Sequence, residues 1–384
     1  MKWNHPYHEF DMIADKLCNP NGSYYLWGSA NIGRDVLEHF GKQLPIAGVV
    51  DADKDKQGKQ LGGFVIESPD ILSPDAGYMV IVTTSAYTQV KKELILKGFS
   101  ENENFFDYYP FFQIYQLYKN NSLLSRRIDI SLTERCTLKC KKCNMFMPYF
   151  SNPSDMALDD VLSQIDKYFQ IVDYVESFNL LGGEPFLYEQ LGNVIKYVGE
   201  KYRSRIKHFI IFTNGMLLPH DADIELLLKY MVEVQISDYT NKVPYKKRLD
   251  QLVAILEENK IHYYFLRSTR WGDFGFPENP NDVPEEKLLD YFEGCKAPFR
   301  GLYNDKVFFC HLETSAIRAG LHKGIEDDYF DLNQNISDIK KKFLEFDFGY
   351  SKRGYISFCA KCRGCDTVNK LTVPAAEQMG GIYV

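Results

Sequence analysis

The sequence has no long apolar run, no basic run, no internal repeat and no low-complexity segment. No window approaches 18 unbroken apolar residues, so no membrane-spanning helix is predicted. The first residues, MKWNHPYHEF, lack the apolar core of a secretory signal, and we therefore expect a cytoplasmic location. There are 45 basic and 52 acidic residues, a net charge of −7, so a nucleic acid is not an expected partner.

Cysteine is scarce in the first third of the chain and concentrated in the rest. Before residue 135 only Cys18 occurs, and we expect it to be a small buried residue. The other eight of the nine cysteines form an early group and a late group: Cys136, Cys140 and Cys143, then Cys295, Cys310, Cys359, Cys362 and Cys365. Because disulfides are rare in the cytoplasm, clustered thiols there indicate metal or redox chemistry.

The order of predicted strands and helices indicates an α/β fold with more than one domain. Residues 24–109 alternate between strand and helix, which predicts a small parallel sheet covered by helices. From residue 127 the alternation resumes for five or six units, which predicts a full or partial (β/α) barrel with its active site at the strand carboxyl ends. After the Gly/Pro-rich stretch 271–284 the periodicity is weak, and we expect metal rather than a core to organise this region.

We therefore predict three domains, with boundaries at 1–118, 119–284 and 285–384. The expected barrel strands cover residues 128–133, 174–181, 208–213, 232–237 and 262–268.

The early cysteines form the pattern C-x3-C-x2-C directly after a predicted strand. Three thiolates on one loop can hold three irons of a [4Fe–4S] cluster and leave the fourth iron open to another ligand. Structural zinc, which usually takes paired C-x2-C arms, and three buried thiols without metal are the alternatives.

This strand-loop motif resembles the signature of the radical S-adenosylmethionine (SAM) superfamily. The resemblance implies that SAM binds the open iron and is cleaved to a 5′-deoxyadenosyl radical, which abstracts hydrogen from a substrate. Lys142 departs from the pattern, since its position is often aromatic in the family.

Further motifs at predicted strand ends extend the resemblance. The stretch LLGGEP supplies Gly182, Gly183, Glu184 and Pro185, and the family's GGEP motif holds the SAM amino group. A plain βα turn with an exposed acid is the alternative interpretation.

Polar residues end the next predicted strands. The resemblance implies that Thr213, Asn214 and Ser237 line the SAM ribose and carboxylate, and that Arg267 pairs with the carboxylate. Ordinary polar strand ends and, for Arg267, a surface salt bridge are the alternatives.

The late cysteines surround a predicted hairpin, GLYNDKVFFCH, with an Asn-Asp turn. A hairpin followed by distant cysteines resembles the auxiliary-cluster domains of radical SAM enzymes, called SPASM or, in shorter form, twitch. Five cysteines instead of seven, and Asp305 where SPASM has glycine, imply one auxiliary [4Fe–4S] cluster. Its expected ligands are Cys295, Cys310, Cys359 and Cys362, with Cys365 spare or exchanged with one of the last pair. A zinc ribbon and unligated thiols are the alternatives.

The N-terminal region carries a glycine motif between a strand and a helix. Gly28, Ala30 and Gly33, with Asp51 closing the next strand, nearly match the dinucleotide fingerprint, although Ala30 crowds a pyrophosphate. The region resembles the small Rossmann-like domains of sugar-modifying transferases of surface-glycan pathways. The resemblance implies nucleotide or nucleotide-sugar binding; a purely structural role is the alternative.

Together these resemblances imply a radical SAM oxidoreductase, a dehydrogenase or epimerase of a sugar, aminocyclitol or nucleotide-sugar in polysaccharide biosynthesis. A flavodoxin or ferredoxin is the expected electron donor. A radical SAM maturase of peptides or proteins is one rival. The others are a non-catalytic, zinc-stabilised nucleotide-sugar-binding protein and a nicotinamide dehydrogenase.

Overall fold

The computed structural model describes residues 1–18, 22–295, 299–365 and 367–380. Contacts divide the chain into two compact units, His8–Ser122 and a second unit composed of Met1–Tyr7 with Leu123–Val384. Within the described ranges, no helix is both long and apolar enough to cross a bilayer.

The unit His8–Ser122 is built around one sheet. Its strands are β1 Tyr24–Trp27, β2 Ile46–Val50, β3 Gln60–Leu61, β4 Phe64–Glu67, β5 Met79–Val82 and β6 Phe105–Asp107. Its helices are α1 Asp11–Cys18, α2 Asn31–Phe40, α3 Tyr87–Leu96 and α4 Tyr108–Asn120, with a 3-10 turn at Pro69–Ile71. The order is β3-β4-β2-β1-β5-β6, parallel apart from β3.

The parallel strands of this unit occur in the order found in doubly wound nucleotide-binding sheets. The strands YYLW and MVIV are nearly continuous apolar runs, as expected for strands covered on both faces. Trp27, Val50, Val82 and Phe105 share a buried core. Strand β6 was not predicted. It is only three residues long, and helix α4 begins at the residue directly after it, so the sequence gives no clear strand periodicity there.

The second unit begins with five parallel strands. They are β7 Leu124–Ser131, β8 Tyr174–Leu181, β9 Ile206–Thr213, β10 Glu233–Ser237 and β11 Tyr263–Leu266, in the spatial order β11-β10-β9-β8-β7. The helices between them are α5 Leu158–Ile171, α6 Leu191–Lys201, α7 Asp221–Lys229 and α8 Lys246–Glu258. Each lies within a few residues of its predicted position, because clear helical and strand periodicities alternate here.

Three of the remaining strands extend this sheet, and two others form a separate two-stranded sheet. The remaining elements are β12 Arg270–Gly272, α9 Leu288–Cys295, β13 Gly301–Tyr303, β14 Lys306–Phe308, α10 His311–Arg318, β15 Tyr329–Asp331, α11 Ile339–Asp347 and β16 Thr372–Pro374. Strand β13 pairs parallel to β7, β14 and β15 follow antiparallel, and β16 pairs with β12. Residues 119–284 and 285–384, expected to be separate domains, thus contribute to one sheet.

A full or partial (β/α) barrel of five or six units was expected, and in the part of the chain that the structure describes no sixth unit follows β11 in the sheet. The sixth parallel strand, β13, lies beside β7 rather than beside β11. After β11 the chain enters the proline-rich stretch 271–284, and proline lacks the N–H group that would extend the sheet.

The region after residue 284 also packs apolar side chains. Leu302, Val307, Phe343 and Leu344 are 0–1% exposed, so metal is not the sole organiser of this region. The predicted hairpin β13–β14 is confirmed, with both residues of its Asn-Asp turn in the left-handed conformation.

Candidate active site

The loop after β7 places Cys136, Cys140 and Cys143 on one cavity of about 560 Å³. Each sulfur receives a hydrogen bond. Leu138 N donates to Cys136 Sγ over 3.4 Å, and Gln378 Nε2 donates to Cys140 Sγ over 3.2 Å. The backbone amides of residues 145–147 donate to Cys143. Such donors orient and stabilise thiolate ligands of a metal.

These three thiols match the requirements of an iron–sulfur site. Burial raises the pKa of Cys136, Cys140 and Cys143, that of Cys140 to about 12, so without a bound cation they stay protonated. Among the described residues that line this cavity there is no fourth cysteine. Three soft donors beside open space therefore fit a [4Fe–4S] cluster with one free iron.

Gly182 and Gly183 allow the turn after β8 to touch the cysteine loop. A Cβ atom on Gly183 would lie 2.1 Å from Arg135 O and 2.8 Å from Cys136 Cβ, and one on Gly182 would lie 2.5 Å from Thr133 O. Gly183 N instead donates to Thr133 O over 2.9 Å. Both glycines line the cavity, so this close approach shapes its wall.

Glu184 is fully buried, so the alternative of an exposed acid is wrong. Its carboxylate accepts from Thr213 Oγ1 over 2.8 Å, from Asn214 N over 2.9 Å and from Phe186 N over 3.3 Å. Burial raises its pKa to about 7, and the three donors only partly offset that effect. Glu184 thus joins the ends of β8 and β9. Buried Pro185 opens the 3-10 turn that follows, and contact of either residue with SAM stays a prediction.

Thr213, Asn214 and Ser237 lie at the ends of β9 and β10 and line the same cavity. Asn214 Nδ2 donates to Thr137 Oγ1 over 2.9 Å and approaches Cys136 Sγ at 3.7 Å. The strand ends and the cysteine loop are therefore joined by direct contacts.

Arg267 does not line the cavity, which corrects its expected place. Its side chain is 67% exposed, pairs with Asp238 over 3.3 Å and lies over the Phe265 ring. Leu266 and Ser268 line the cavity instead, because neighbouring residues of an extended segment point to opposite faces. The surface salt bridge is the interpretation that the structure supports.

Lys142 lines the cavity and is tied to the stretch 271–284. Its Nζ atom lies 2.6 Å from Glu278 and 3.9 Å from Asp273. Aromatic surface comes from other parts of the chain, since Tyr239 and Trp271 line the cavity with their rings 5.5 Å apart.

The five late cysteines line one apolar pocket. Burial raises the pKa of Cys310, Cys359 and Cys362, and the pKa of Cys365 is raised first by its contact with Cys295 and then by burial. The sulfurs of Cys295 and Cys365 lie 3.6 Å apart, so Cys365 lies directly beside one of the four expected ligands. A zinc ion and a [4Fe–4S] cluster each take four thiolates, so the set can hold a second cluster or a zinc ion with one thiol to spare.

The pocket of late cysteines and the cavity of early cysteines are neighbours. Phe274 and Leu312 line both. Cys310 lines the pocket while the next residue, His311, lines the cavity. A single layer of side chains therefore separates the two sites.

The sequence analysis did not predict a role for Asp129 and His311, two buried polar residues that line the base of the cavity. Asp129, which is 2% exposed, accepts from Arg127 over 2.7 and 3.1 Å and from Asn179 over 2.7 Å. His311 Nδ1 lies 4.0 Å from Asp129 Oδ2, has no hydrogen-bond partner among the described residues, and burial lowers its pKa to about 4. The sequence RRIDIS could have indicated this site, because it places the charged residues Arg127 and Asp129 at alternate positions of a core strand.

In the unit His8–Ser122, Gly28 and Gly33 permit close packing. A Cβ on Gly33 would lie 2.0 Å from Gly28 O, and one on Gly28 2.6 Å from Thr83 O. Asp51 accepts from Ser29 N over 2.9 Å and from Ser29 Oγ over 2.5 Å; burial opposes ionisation, but hydrogen bonds lower its pKa overall. Its oxygens are thus occupied by its own unit, and nucleotide binding stays a prediction.

Comparison with known proteins assigns the central part of the chain. The model of the radical SAM superfamily matches residues 130–251, which include the early cysteines and the GGEP motif. The match covers about a third of the chain and shows that residues 130–251 are similar to the radical SAM superfamily. A second family model, described as "C2185-like, N-terminal", matches residues 24–105.

Curated relatives are named GTP 3′,8-cyclase. The protein from Rhizobium leguminosarum bv. trifolii is 24% identical over 238 residues, which are 59% of this chain and 62% of that protein. The protein from Aquifex aeolicus is 26% identical over 272 residues, or 63% and 77%. The chain thus spans about three fifths of the first relative's length.

Solved structures of two proteins bound to S-adenosylmethionine show partial similarity. BtrN in complex with AdoMet and 2-DOIA has a TM-score of 0.42 at 18% identity, covering 63% of this chain and 94% of BtrN. Streptococcus suis SuiB bound to S-adenosylmethionine has a TM-score of 0.32 at 16% identity, covering 75% and 89%.

Proposed function

We propose that this radical SAM enzyme removes hydrogen from a hydroxyl-bearing carbon of a sugar, aminocyclitol or nucleotide-sugar, giving oxidation or epimerisation. The observation that carries the proposal is the pocket of five cysteines, which shares Phe274 and Leu312 with the cavity of early cysteines. Oxidation of an alcohol to a ketone removes two electrons and two protons. A substrate in the cavity thus has an electron acceptor one side-chain layer away.

The early cysteines would hold the cluster that binds SAM, and four of the five late cysteines would hold a second cluster. Bound there, the clusters and SAM supply a 5′-deoxyadenosyl radical for hydrogen abstraction and an acceptor for one further electron. Residues from Gly182 to Ser237 would then shape the SAM side of the cavity, with Tyr239 and Trp271 offering apolar surface.

The polar base of the cavity favours a hydroxyl-bearing substrate. Asp129 and His311 both line the cavity, so a substrate hydroxyl could donate a hydrogen bond to the Asp129 carboxylate. The Arg127 fork and Asn179 hold the carboxylate in place for such a contact. Arg127 also packs on the rings of Phe212 and Phe299, which fixes its position.

Two further parts of the proposal concern partners. The unit His8–Ser122 binds a nucleotide or nucleotide-sugar, in keeping with its strand order and the turn after β1. A flavodoxin or ferredoxin of the cytoplasm reduces the SAM-binding cluster.

A nucleotide substrate is the second candidate, favoured by the relatives named GTP 3′,8-cyclase. Arg127, Lys142 and Arg270 line the cavity and give it three cationic side chains against the single carboxylate of Asp129. GTP therefore belongs in the substrate panel.

The test is deuterium transfer into 5′-deoxyadenosine under anaerobic, reducing conditions. Ring-deuterated aminocyclitol, UDP-sugar and GTP are each incubated with reconstituted enzyme and SAM. We expect deuterium from an aminocyclitol or UDP-sugar together with a carbonyl or epimeric product. Transfer from GTP alone would favour the second candidate, and absence of 5′-deoxyadenosine even without substrate would contradict radical SAM activity itself.

The Asp129→Asn variant tests the base of the cavity. It keeps the side-chain shape but replaces one acceptor by a donor, so deuterium transfer should fall about tenfold or more. Substrate-independent formation of 5′-deoxyadenosine should stay near the wild-type rate. Glu176→Gln on strand β8, which breaks only a surface pair with Lys207, is the matched control and should change neither.

A further inference from the structure

The last described segment of the chain is hydrogen-bonded to the cysteine loop. Strand β16 pairs with β12, and Ala375 N then donates to Thr269 O over 3.0 Å. Beyond it, Lys141 N donates to Glu377 O over 2.5 Å, and Met379 N donates to Lys139 O over 2.7 Å. Residues 372–379 are here called the C-terminal segment, and its residues 377–379 pair antiparallel with the loop that carries Cys140.

The side chain of Gln378 has only one orientation that satisfies its neighbours. Its Oε1 accepts from Lys139 N over 2.9 Å, and its Nε2 donates to Ala376 O over 2.8 Å. Rotating the amide by 180° would place N–H against N–H and oxygen against oxygen. The second N–H of the amide therefore points at Cys140 Sγ, 3.2 Å away.

We propose that Gln378 is a positioning residue that raises the reduction potential of the SAM-binding cluster through its N–H···S bond to Cys140. Hydrogen bonds to ligand sulfurs withdraw electron density and stabilise the reduced, more negative cluster. The inference rests on the cluster of the proposed function. It concerns the ease of the cluster's reduction, whichever substrate follows.

Cys140 differs from Cys136 and Cys143 in the part of the chain that supplies its hydrogen-bond donor. The backbone donors to Cys136 and Cys143 come from residues two to four positions along the same loop. The donor to Cys140 lies 238 residues away in sequence. Buried Ala375 and Ala376 anchor the C-terminal segment, so docking of this segment completes the hydrogen bonding of the cluster ligands.

The experiment compares the midpoint potential of the SAM-binding cluster by electron paramagnetic resonance during redox titration of the full-length, reconstituted protein. Gln378→Glu keeps an acceptor for Lys139 N but loses the donor to Cys140. Gln378→Met removes both at similar length. Glu377→Gln is the matched control, since it breaks only the Lys141 ion pair, whose partners are each 50% exposed.

We expect both Gln378 variants to shift the midpoint potential to a more negative value at unchanged iron content, and the Glu377 variant to match wild type. An unchanged potential in Gln378→Met at full iron content would overturn the inference. If Gln378→Met loses iron, the smaller neutral variant Gln378→Leu decides, because the negative charge of Gln378→Glu lowers the potential even without loss of the hydrogen bond. Failure of the wild-type protein to bind iron would instead contradict the proposed function.

Discussion

Gly183 shows how strictly single residues are constrained in this site. A methyl group there would meet Arg135 O at 2.1 Å and Cys136 Cβ at 2.8 Å, so the cysteine loop has to move. We expect Gly183→Ala to lose about four irons per chain, the content of one [4Fe–4S] cluster, while the late cysteines keep theirs. Iron and sulfide analysis after anaerobic reconstitution measures this.

Gly272 supplies the control for that prediction. It lines the same cavity, but a Cβ atom there would make only an ordinary contact of 3.8 Å with Phe274. Gly272→Ala should keep its full iron content. Equal iron content in the Gly183 and Gly272 variants would contradict the packing argument.

His311 predicts a pH dependence of stability. Burial lowers its pKa to about 4 from the ordinary value of 6.5, so between these values the unfolded chain binds the proton and the folded chain does not. Folding therefore loses stability as pH falls through this window. From pH 7.5 to 5.5 the loss is about 1 kcal/mol.

The measurement is the free energy of unfolding against pH for wild type and His311→Asn. The difference between the two should shrink by about 1 kcal/mol over that range. His39→Asn, at an exposed helical position, should run parallel to wild type. A constant difference for the His311 variant would show that the imidazole is not buried in its neutral form.

At the scale of elements, the hairpin β13–β14 belongs to the eight-stranded sheet and leads directly to Cys310, one of the late cysteines. Its turn places Asn304 at φ 50° and Asp305 at φ 59°, in the left-handed region. Most residues with a β-carbon avoid this region, whereas glycine and asparagine adopt it readily. Asn304→Ala should lower the free energy of unfolding by about 1 kcal/mol, and Asn304→Gly should leave it within about 0.5 kcal/mol. Denaturant unfolding of both variants checks this, and equal values would contradict it.

Many of the helices and strands could be predicted from the sequence because the signals for them are local. Turn residues marked the hairpin, and alternating periodicities marked β7 to β11 with their helices. The position of β13 beside β7 could not be predicted, since strand partners far apart in sequence leave no local signal. Arg267 was misplaced for a related reason: a shift of one residue reverses the face that a side chain occupies.

The residues of the candidate site also divide into those that the sequence predicted and those that only the structure shows. The early cysteines and the GGEP motif are contiguous in sequence and were found. The contact of Gln378 with Cys140 spans 238 residues and could come only from the structure.

At the scale of the whole molecule, residues 8–122 carry their own core. Trp27, Val50, Val82 and Phe105 are buried within that unit, and all strands of its six-stranded sheet, as described here, come from that unit. We expect a fragment of residues 8–122 to unfold in one cooperative transition, monitored by circular dichroism in denaturant. A fragment without native-like secondary structure would contradict independent folding.

The central claim is that one chain holds two iron–sulfur clusters at neighbouring sites, one open for SAM and one closed. Iron and acid-labile sulfide per chain after anaerobic reconstitution test it most directly, with Cys136→Ala/Cys140→Ala/Cys143→Ala and Cys310→Ala/Cys359→Ala/Cys362→Ala as matched triple variants. We predict about eight irons for wild type and about four for each variant, with 5′-deoxyadenosine formed only where the early cysteines remain. Four irons in wild type, or zinc at either site, would contradict it.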